Sequence, residues 1–444
     1  MIKVKLNNFP FAPSQLSFFY GWVILMVGTF GVLMSSPGQT SGVSTFTDYL
    51  IGVFDISRDQ LSLCYMAGTI VSSLVLTSVG RLYDRWGARW VSMLAGVLLG
   101  LVLIYMSQSD IIAQYFRAQL HLPKESLWVG FLVLGFGFFV LRLAGQGALT
   151  VVSRNMIMKW FVLRRGWASG VSNVFVAVGF SLVPLFFDKL IMQLGWRNAW
   201  IYVGLFSIFF FVLVAFIFFR DNPEDCGLKP DGNYEAMHEN KDLQLMVKKQ
   251  FSLSEARHTL IFWIYAIPMA IYAMIVTGFT FNVISIFEKA GMWREDALFV
   301  FFPAAIISTI VTLAGGYLSD QIRLKWFLLV FLLAMAGFNL CLALLGSQGA
   351  YIGLILTYGV STGLYSLLIS IAWPRFFGRE NLGAISGFSM SLVVFLSAIG
   401  PILFSSSLSY LGSYGYAAMV CVLVCVLAFV LALRTVNPQE VIKD

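Results

Sequence analysis

Residues 141–150 read LRLAGQGALT. They place an arginine, a glutamine and two glycines inside an apolar run from Leu127 to Val152, and Arg142 is the only charge in that run. A guanidinium is a planar fork of donors that suits a carboxylate or a phosphate. Gln146, four residues on, shares its helical face and adds neutral hydrogen-bonding capacity. A charge at the middle of a bilayer helix costs about 2.5–3.5 kcal/mol on insertion scales, so Arg142 needs a counterpart. The sequence offers no acidic one. Asp48 lies near one end of its apolar run, Asp84 and Asp320 close theirs, and no Asp, Glu or His sits in the middle of any. Two counterparts stay open. One is a small anion, if water reaches the site. The other is the set of carbonyls freed where Pro37 and Gly38 interrupt the first run, in Ser35-Ser36-Pro37-Gly38-Gln39-Thr40-Ser41-Gly42.

Other chemistries lack their residues. The three histidines, His121, His238 and His258, lie outside the apolar runs, which excludes intramembrane haem ligation. No G-x-x-x-x-G-K-[ST] loop occurs for a phosphate-driven pump, and no H-E-x-x-H for a zinc hydrolase. Cys64, Cys341, Cys421 and Cys425 fall inside apolar runs and Cys226 in a polar segment, so the expectation is packing thiols and no metal site. No cofactor is expected.

The elements that must hold Arg142 follow from composition. Of 444 residues, 59% are hydrophobic and only 11% charged, whereas a water-soluble domain carries about 25% charged residues. Twelve apolar runs are long enough to cross a bilayer: 19–49, 59–80, 90–108, 127–152, 164–190, 198–219, 259–287, 296–318, 324–346, 350–375, 382–409 and 413–434. The fold class is therefore an all-α polytopic membrane protein. With both termini cytoplasmic, the inner segments hold 21 Lys plus Arg and the outer loops 7 (Arg58, Arg117, Lys124, Lys189, Arg197, Lys289 and Arg294). That asymmetry explains the net charge of +7 without a nucleic-acid partner. The amino-terminal segment is basic, but its first apolar stretch lacks a small-residue cleavage site and reads as a retained span.

A polar stretch from Arg220 to His258 divides the runs six and six. Its middle reads as a linker, and Ser252 with Glu255 as a capping box ahead of the seventh run. The expected domains are an N-terminal six-helix bundle (1–219), a cytoplasmic linker (220–258) and a C-terminal six-helix bundle (259–444). The halves repeat: Gly80-Arg81-Leu82-Tyr83-Asp84 closes the second run and Gly316-Tyr317-Leu318-Ser319-Asp320 the eighth, while Trp160-Phe161 through Gly170 parallels Arg375-Phe376 through Gly387. Duplicated six-helix units are a mark of alternating-access carriers. Gly96 with Gly100, Gly166 with Gly170 and Gly359 with Gly363 carry small-xxx-small spacing, which favours close helix contact.

The stretch Gly80-Arg81-Leu82-Tyr83-Asp84-Arg85-Trp86-Gly87-Ala88-Arg89 resembles the loop motif between the second and third helices of the major facilitator superfamily, departing from it at Ala88, where the family usually has a basic residue. The second copy keeps Gly316 and Asp320 but has Arg323 in place of the later glycine. Gly195-Trp196-Arg197 and Asn222-Pro223-Glu224-Asp225 are also similar to bacterial members, and the nearest likeness is to the oxalate/formate and monocarboxylate group.

The resemblance implies two pseudo-symmetric bundles, a central cavity lined by helices one, four, seven and ten, and therefore water access to Arg142. It implies a cytoplasmic latch formed by Gly80, Asp84, Arg85, Gly87, Arg89, Gly316 and Asp320, with Arg164 and Arg165 as partners for Asp84. Beside Arg142 and Gln146, the neutral cavity candidates are Gln39, Thr40, Tyr65, Asn173, Tyr272, Asn282, Tyr358 and Tyr365. Each of these is by itself equally a packing residue with a satisfied polar tip. The eighth and eleventh runs hold no cation, which favours a singly charged substrate over a dicarboxylate. The expectation is a monomeric secondary transporter of a small organic anion in a bacterial inner or plasma membrane, with protons as a candidate coupling ion. The alternatives are a drug or solute/proton antiporter, which the absence of a central carboxylate disfavours, and a transporter-like sensor without flux.

Overall fold

The computed structural model describes residues 8–123, 126–232, 247–434 and 437–441. The linker's middle, Lys124 and His238 lie outside these residues. By Cα proximity the chain forms two compact units: Met1–Trp160, Phe175–Tyr234 and Ser386–Ser391 make the first, and Phe161–Val174, Glu235–Ile385 and Leu392–Asp444 the second. Regular structure among the described residues is helical.

The chain begins with α1 (Gly21–Leu33), α2 (Thr40–Ser44), α3 (Thr47–Phe54), α4 (Arg58–Ser107), α5 (Ser109–Gln119), α6 (Leu127–Arg142) and α7 (Thr150–Trp160). It continues with α8 (Arg165–Leu194), α9 (Trp196–Phe206) and α10 (Val212–Phe218). After the linker come α11 (Leu253–His258), α12 (Leu260–Lys289), α13 (Arg294–Phe299), α14 (Phe301–Ser319), α15 (Leu324–Ala343), α16 (Gln348–Phe377), α17 (Leu382–Leu411), α18 (Gly415–Ala432) and α19 (Pro438–Val441). Among the described residues, eleven apolar helical stretches are long enough to span a membrane, and the longest covers 49 residues. That stretch is two spans: Gly87, at φ +84°, interrupts the helical backbone of α4. Twelve crossings result, as the apolar runs predict.

In the first unit, the turn at Gly87 is fastened by Asp221, whose carboxylate accepts from the Ala88 N–H at 2.8 Å and lies 3.8 Å from Lys159 Nζ. A Cβ on residue 87 would collide with that carboxylate, and the positive φ independently favours glycine. The first span breaks where Pro37 and Gly38 predict: α1 ends at Leu33, a single 3₁₀ turn covers Ser36–Gly38, and α2 restarts at Thr40. The fourth span is also irregular, with a π-helical stretch, Leu143–Leu149, between α6 and α7. The two irregularities meet. A Cβ built on Gly38 would lie 2.5 Å from the Leu141 carbonyl oxygen, and one on Gly145 2.8 Å from the Gly38 Cα. Glycine at both positions is what lets the backbones approach so closely.

The small-xxx-small pairs are likewise contact points: Gly100 abuts the Gly204 carbonyl in the first unit, and in the second Gly166 and Gly170 abut α14 and Gly359 and Gly363 its Ala304 and Ser308 carbonyls. The predicted capping box is formed, with Ser252 Oγ accepting from the Glu255 N–H and the Glu255 carboxylate accepting from the Ser252 N–H at 2.8 Å. This exposed carboxyl is held at about pKa 2 by the Ser252 N–H, by Lys249 at 2.9 Å and by the Ser252 hydroxyl.

Candidate functional site

Arg142 ends α6 and is buried at 3% exposure. Its Nη1 donates to the Gly38 carbonyl at 3.1 Å and, at 3.5 Å, to Thr40 Oγ1. The guanidinium carbon lies 5.1 Å from the centre of the Tyr65 ring, whose hydroxyl is 2.9 Å from the same Thr40 Oγ1. Phe138 backs that ring edge-on at 5.3 Å. Gln39 is turned aside, donating to Ser35 Oγ at 3.0 Å and to Thr150 Oγ1 at 3.4 Å. Of the first-unit candidates, then, Thr40 and Tyr65 meet Arg142 directly, and Gln39 belongs to a hydroxyl network with Ser35 and Thr150 that braces the break.

No carboxylate pairs with Arg142 among the described residues. A charge-assisted hydrogen bond contributes about 1.5–3 kcal/mol and a cation–π contact about 0.5–2. Their sum is comparable to the insertion cost, so the broken helix and Tyr65 suffice to hold the cation in place. They do not saturate it. Arg142 Nε is buried with no acceptor, and Gln146 Oε1, in the π-helical turn, is buried with no donor. Both are polar groups whose hydrogen bonds remain to be made.

Among the second-unit candidates, Tyr272 and Tyr365 form an aromatic pair. Tyr272 donates to Thr362 Oγ1 at 2.7 Å and its ring lies 4.6 Å from that of Tyr365. Tyr358 is enclosed by Phe279, Phe301 and Phe338 at 5.3–6.1 Å, a packing environment. Asn282 bonds back to the Gly278 carbonyl of its own helix, and Asn173 donates to the Ser366 carbonyl at 2.9 Å, next to Tyr365.

The two copies of the loop motif are both built. In the second unit the Asp320 carboxylate, at the end of α14, accepts from the Gly166 and Trp167 N–H groups at 2.9 and 3.1 Å and from Arg375 Nη2 at 3.3 Å. This is a carboxylate on the positive N-terminus of α8, where an anion is favoured. Arg375 also donates to the Ser319 carbonyl, and Gly316 packs against Gly166. The copy with the worn sequence therefore keeps its electrostatic core. Arg165 donates to the Phe161 and Pro374 carbonyls at 3.0 and 3.2 Å, and Arg164 is exposed. In the first unit Gly80 is buried, Asp84 half-buried and Arg85 exposed, while Arg89 donates to the Phe219 and Phe9 carbonyls, both at 3.1 Å. Sequence reading missed Asp221, whose signal is an acid directly after the sixth span. It also missed the second partner of Asp320, Arg375, a cation at the end of an otherwise apolar run.

The sequence profile of the Major Facilitator Superfamily matches residues 11–401. The chain belongs to the Major Facilitator Superfamily. This superfamily member is 26% identical over 46% of its length to MFS-type transporter 1 of Ophiocordyceps sp. (strain BCC 1869), and spans 42% of that relative. It is 24% identical to monocarboxylate transporter 11 of Homo sapiens, over 86% of this chain and 76% of the other. Its fold is that of the proton:xylose symporter XylE bound to 6-bromo-6-deoxy-D-glucose, with a TM-score of 0.67 at 16% identity, covering 95% of this chain and 98% of that one. The chain is thus a membrane-spanning member of a transporter superfamily.

Proposed function

We propose that this transporter moves a small organic anion, a monocarboxylate, across the membrane by alternating access, and that Arg142 receives its carboxylate. The observation that carries this reading is a buried guanidinium with no carboxylate partner among the described residues, facing Tyr65 and Thr40 and keeping an unused donor. The likeness to a human monocarboxylate transporter supports the same substrate class. The basic-residue asymmetry supports cytoplasmic termini, in a bacterial inner membrane or plasma membrane. Domains at 1–219 and 259–444 joined by the 220–258 segment are part of the proposal, as is a monomer.

Uptake of a labelled monocarboxylate panel into proteoliposomes tests it. Losing a charge-assisted hydrogen bond of about 1.5–3 kcal/mol weakens binding by roughly 10- to 150-fold. Arg142→Ala should show that loss, and Arg142→Lys, which keeps charge without the fork, an intermediate one. Full anion uptake by a folded Arg142→Ala protein would overturn the assignment.

A further inference from the structure

We propose that α5 is a membrane-surface helix, its uncharged face seated in the interfacial layer of the surrounding phospholipid bilayer. The proposal does not depend on the substrate. From Ala88 to Ser107 the third span rises roughly 30 Å at 1.5 Å per residue, about the thickness of the hydrocarbon layer. Its end at Ser107 therefore reaches the membrane boundary opposite the Gly87 turn. The helix stops at Gln108, where φ is −114° and ψ 11°, and α5 begins at once with Ser109.

What α5 does with its charges is informative. It has two, and both turn into the protein. Asp110, buried, accepts from Arg197 Nη1 and Nη2, each at 2.7 Å. Burial raises this carboxyl's pKa, but the paired bonds from Arg197 outweigh that and hold it below the usual carboxylate range. Arg117 donates Nε to the Ser126 carbonyl at 3.1 Å, and its Nη2 lies beside Gly130 of α6. Arg197 is itself stacked on Trp196, 4.4 Å from the ring centre, which ties α5 to the start of α9.

The face left outward is apolar and aromatic. Ile111, Tyr115, Phe116 and the C-cap Leu120 are 53, 59, 47 and 61% exposed, and the other exposed positions of the helix are Gln114, Ala118 and Gln119. A water-facing helix of this kind would carry charge outside and apolar residues inside. Here the arrangement is reversed, and Tyr115 and Phe116 are side-chain types that suit the membrane boundary. Continuity with the third span, which is already in the bilayer, identifies lipid as the occupant.

The test uses full-length protein with its five cysteines replaced, carrying Ile111→Cys or Tyr115→Cys labelled with an environment-sensitive dye and reconstituted in phosphatidylcholine vesicles. Glu380→Cys serves as the water-exposed reference. The expected result is blue-shifted emission, quenched more by lipid brominated near the headgroup than by aqueous iodide. Iodide quenching equal to that at position 380 would overturn the proposal. So would emission insensitive to both quenchers that reverts on dilution with lipid, since that would mean a second copy covers the face.

Discussion

At the scale of single residues, the decisive feature is how a cation is tolerated in apolar surroundings. Arg142 is held by the Gly38 carbonyl, the Thr40 hydroxyl and the Tyr65 ring face, and the ring can be removed by substitution. Tyr65→Phe keeps the ring and deletes only the contact with Thr40, so its effect on thermal stability should be small, about 1 kcal/mol or less. Tyr65→Leu removes the ring face as well and should cost about 0.5–2 kcal/mol more. Equal melting temperatures for the two variants would show that the ring contributes nothing to holding the cation. Glu255 offers a pH-dependent counterpart. Its folded pKa of about 2 lies below the ordinary value near 4.3. Its contribution is fully present above the unfolded value and is lost as pH falls toward 2. Glu255→Gln should flatten that part of the stability profile between about pH 5 and 2, measured as the unfolding midpoint of the solubilised protein. An unchanged profile would mean that the capping box has no net effect.

At the scale of elements, the site is made by two helices that are each irregular. The first span is broken by Pro37 and Gly38, and the fourth is underwound into a π-helical stretch at Leu143–Leu149. Local π geometry is found often at functional sites, because it redirects side chains without ending the helix. Gly145→Ala should separate the two spans, since its Cβ would sit 2.8 Å from the Gly38 Cα and 3.0 Å from the Ser35 carbonyl oxygen. The Arg142–Gly38 bond then lengthens. The expected outcome is a raised KM for the transported anion, with Gly145→Ser no better. A wild-type KM in Gly145→Ala would show that the close approach does not position Arg142. A second joint lies in the second unit. The Gln439 amide accepts from the Lys248 and Lys249 N–H groups, both at 3.0 Å, and donates to the Lys249 and Phe376 carbonyls at 3.0 and 2.7 Å. This saturated amide joins α19 and the end of the linker to α16. Gln439→Ala strands several backbone groups and should destabilise the protein by about 2–4 kcal/mol, to be read from denaturant titration in detergent.

At the scale of the whole molecule, the duplicated motif has two builds. In the second unit a buried ion pair, Asp320 with Arg375, sits on the N-terminus of α8, with side-chain exposures of 8 and 6%. Breaking such a pair by removing one partner leaves an uncompensated charge and costs about 3–5 kcal/mol. Asp320→Asn should therefore be nearly as damaging as Asp320→Ala, because both leave Arg375 without its charge partner and a single amide oxygen cannot replace the two carboxylate oxygens that accept from the N–H groups of Gly166 and Trp167. A wild-type unfolding midpoint in Asp320→Asn would remove the electrostatic account. In the first unit the Gly87 turn is instead secured by Asp221, from a different helix end, which accepts from the Ala88 N–H. The basic residue usual at position 88 in the family is absent, and Lys159 supplies positive charge nearby, 4.6 Å from the Tyr83 ring centre.

The twelve crossings, the break in the first span, the capping box and the repeated loop motif were legible in the amino-acid order, because each rests on a local or short-period signal: run length, a proline with a glycine, a four-residue cap, a repeated spacing. The candidates around Arg142 were legible as residue types but not as a set. Thr40 and Tyr65 meet the guanidinium, Gln39 faces a hydroxyl network, Tyr358 is packed among phenylalanines, and Asn282 bonds to its own helix. Which of these happens depends on helix rotation and on approaches as close as Gly38 to Gly145, which apolar flanking sequence does not encode locally. The carbonyl that meets Arg142, the acid that fastens Gly87 and the arginine that pairs with Asp320 lie 104, 133 and 55 residues away from their partners. Contacts at such separations exist only once the chain has packed, and tertiary structure alone decided them.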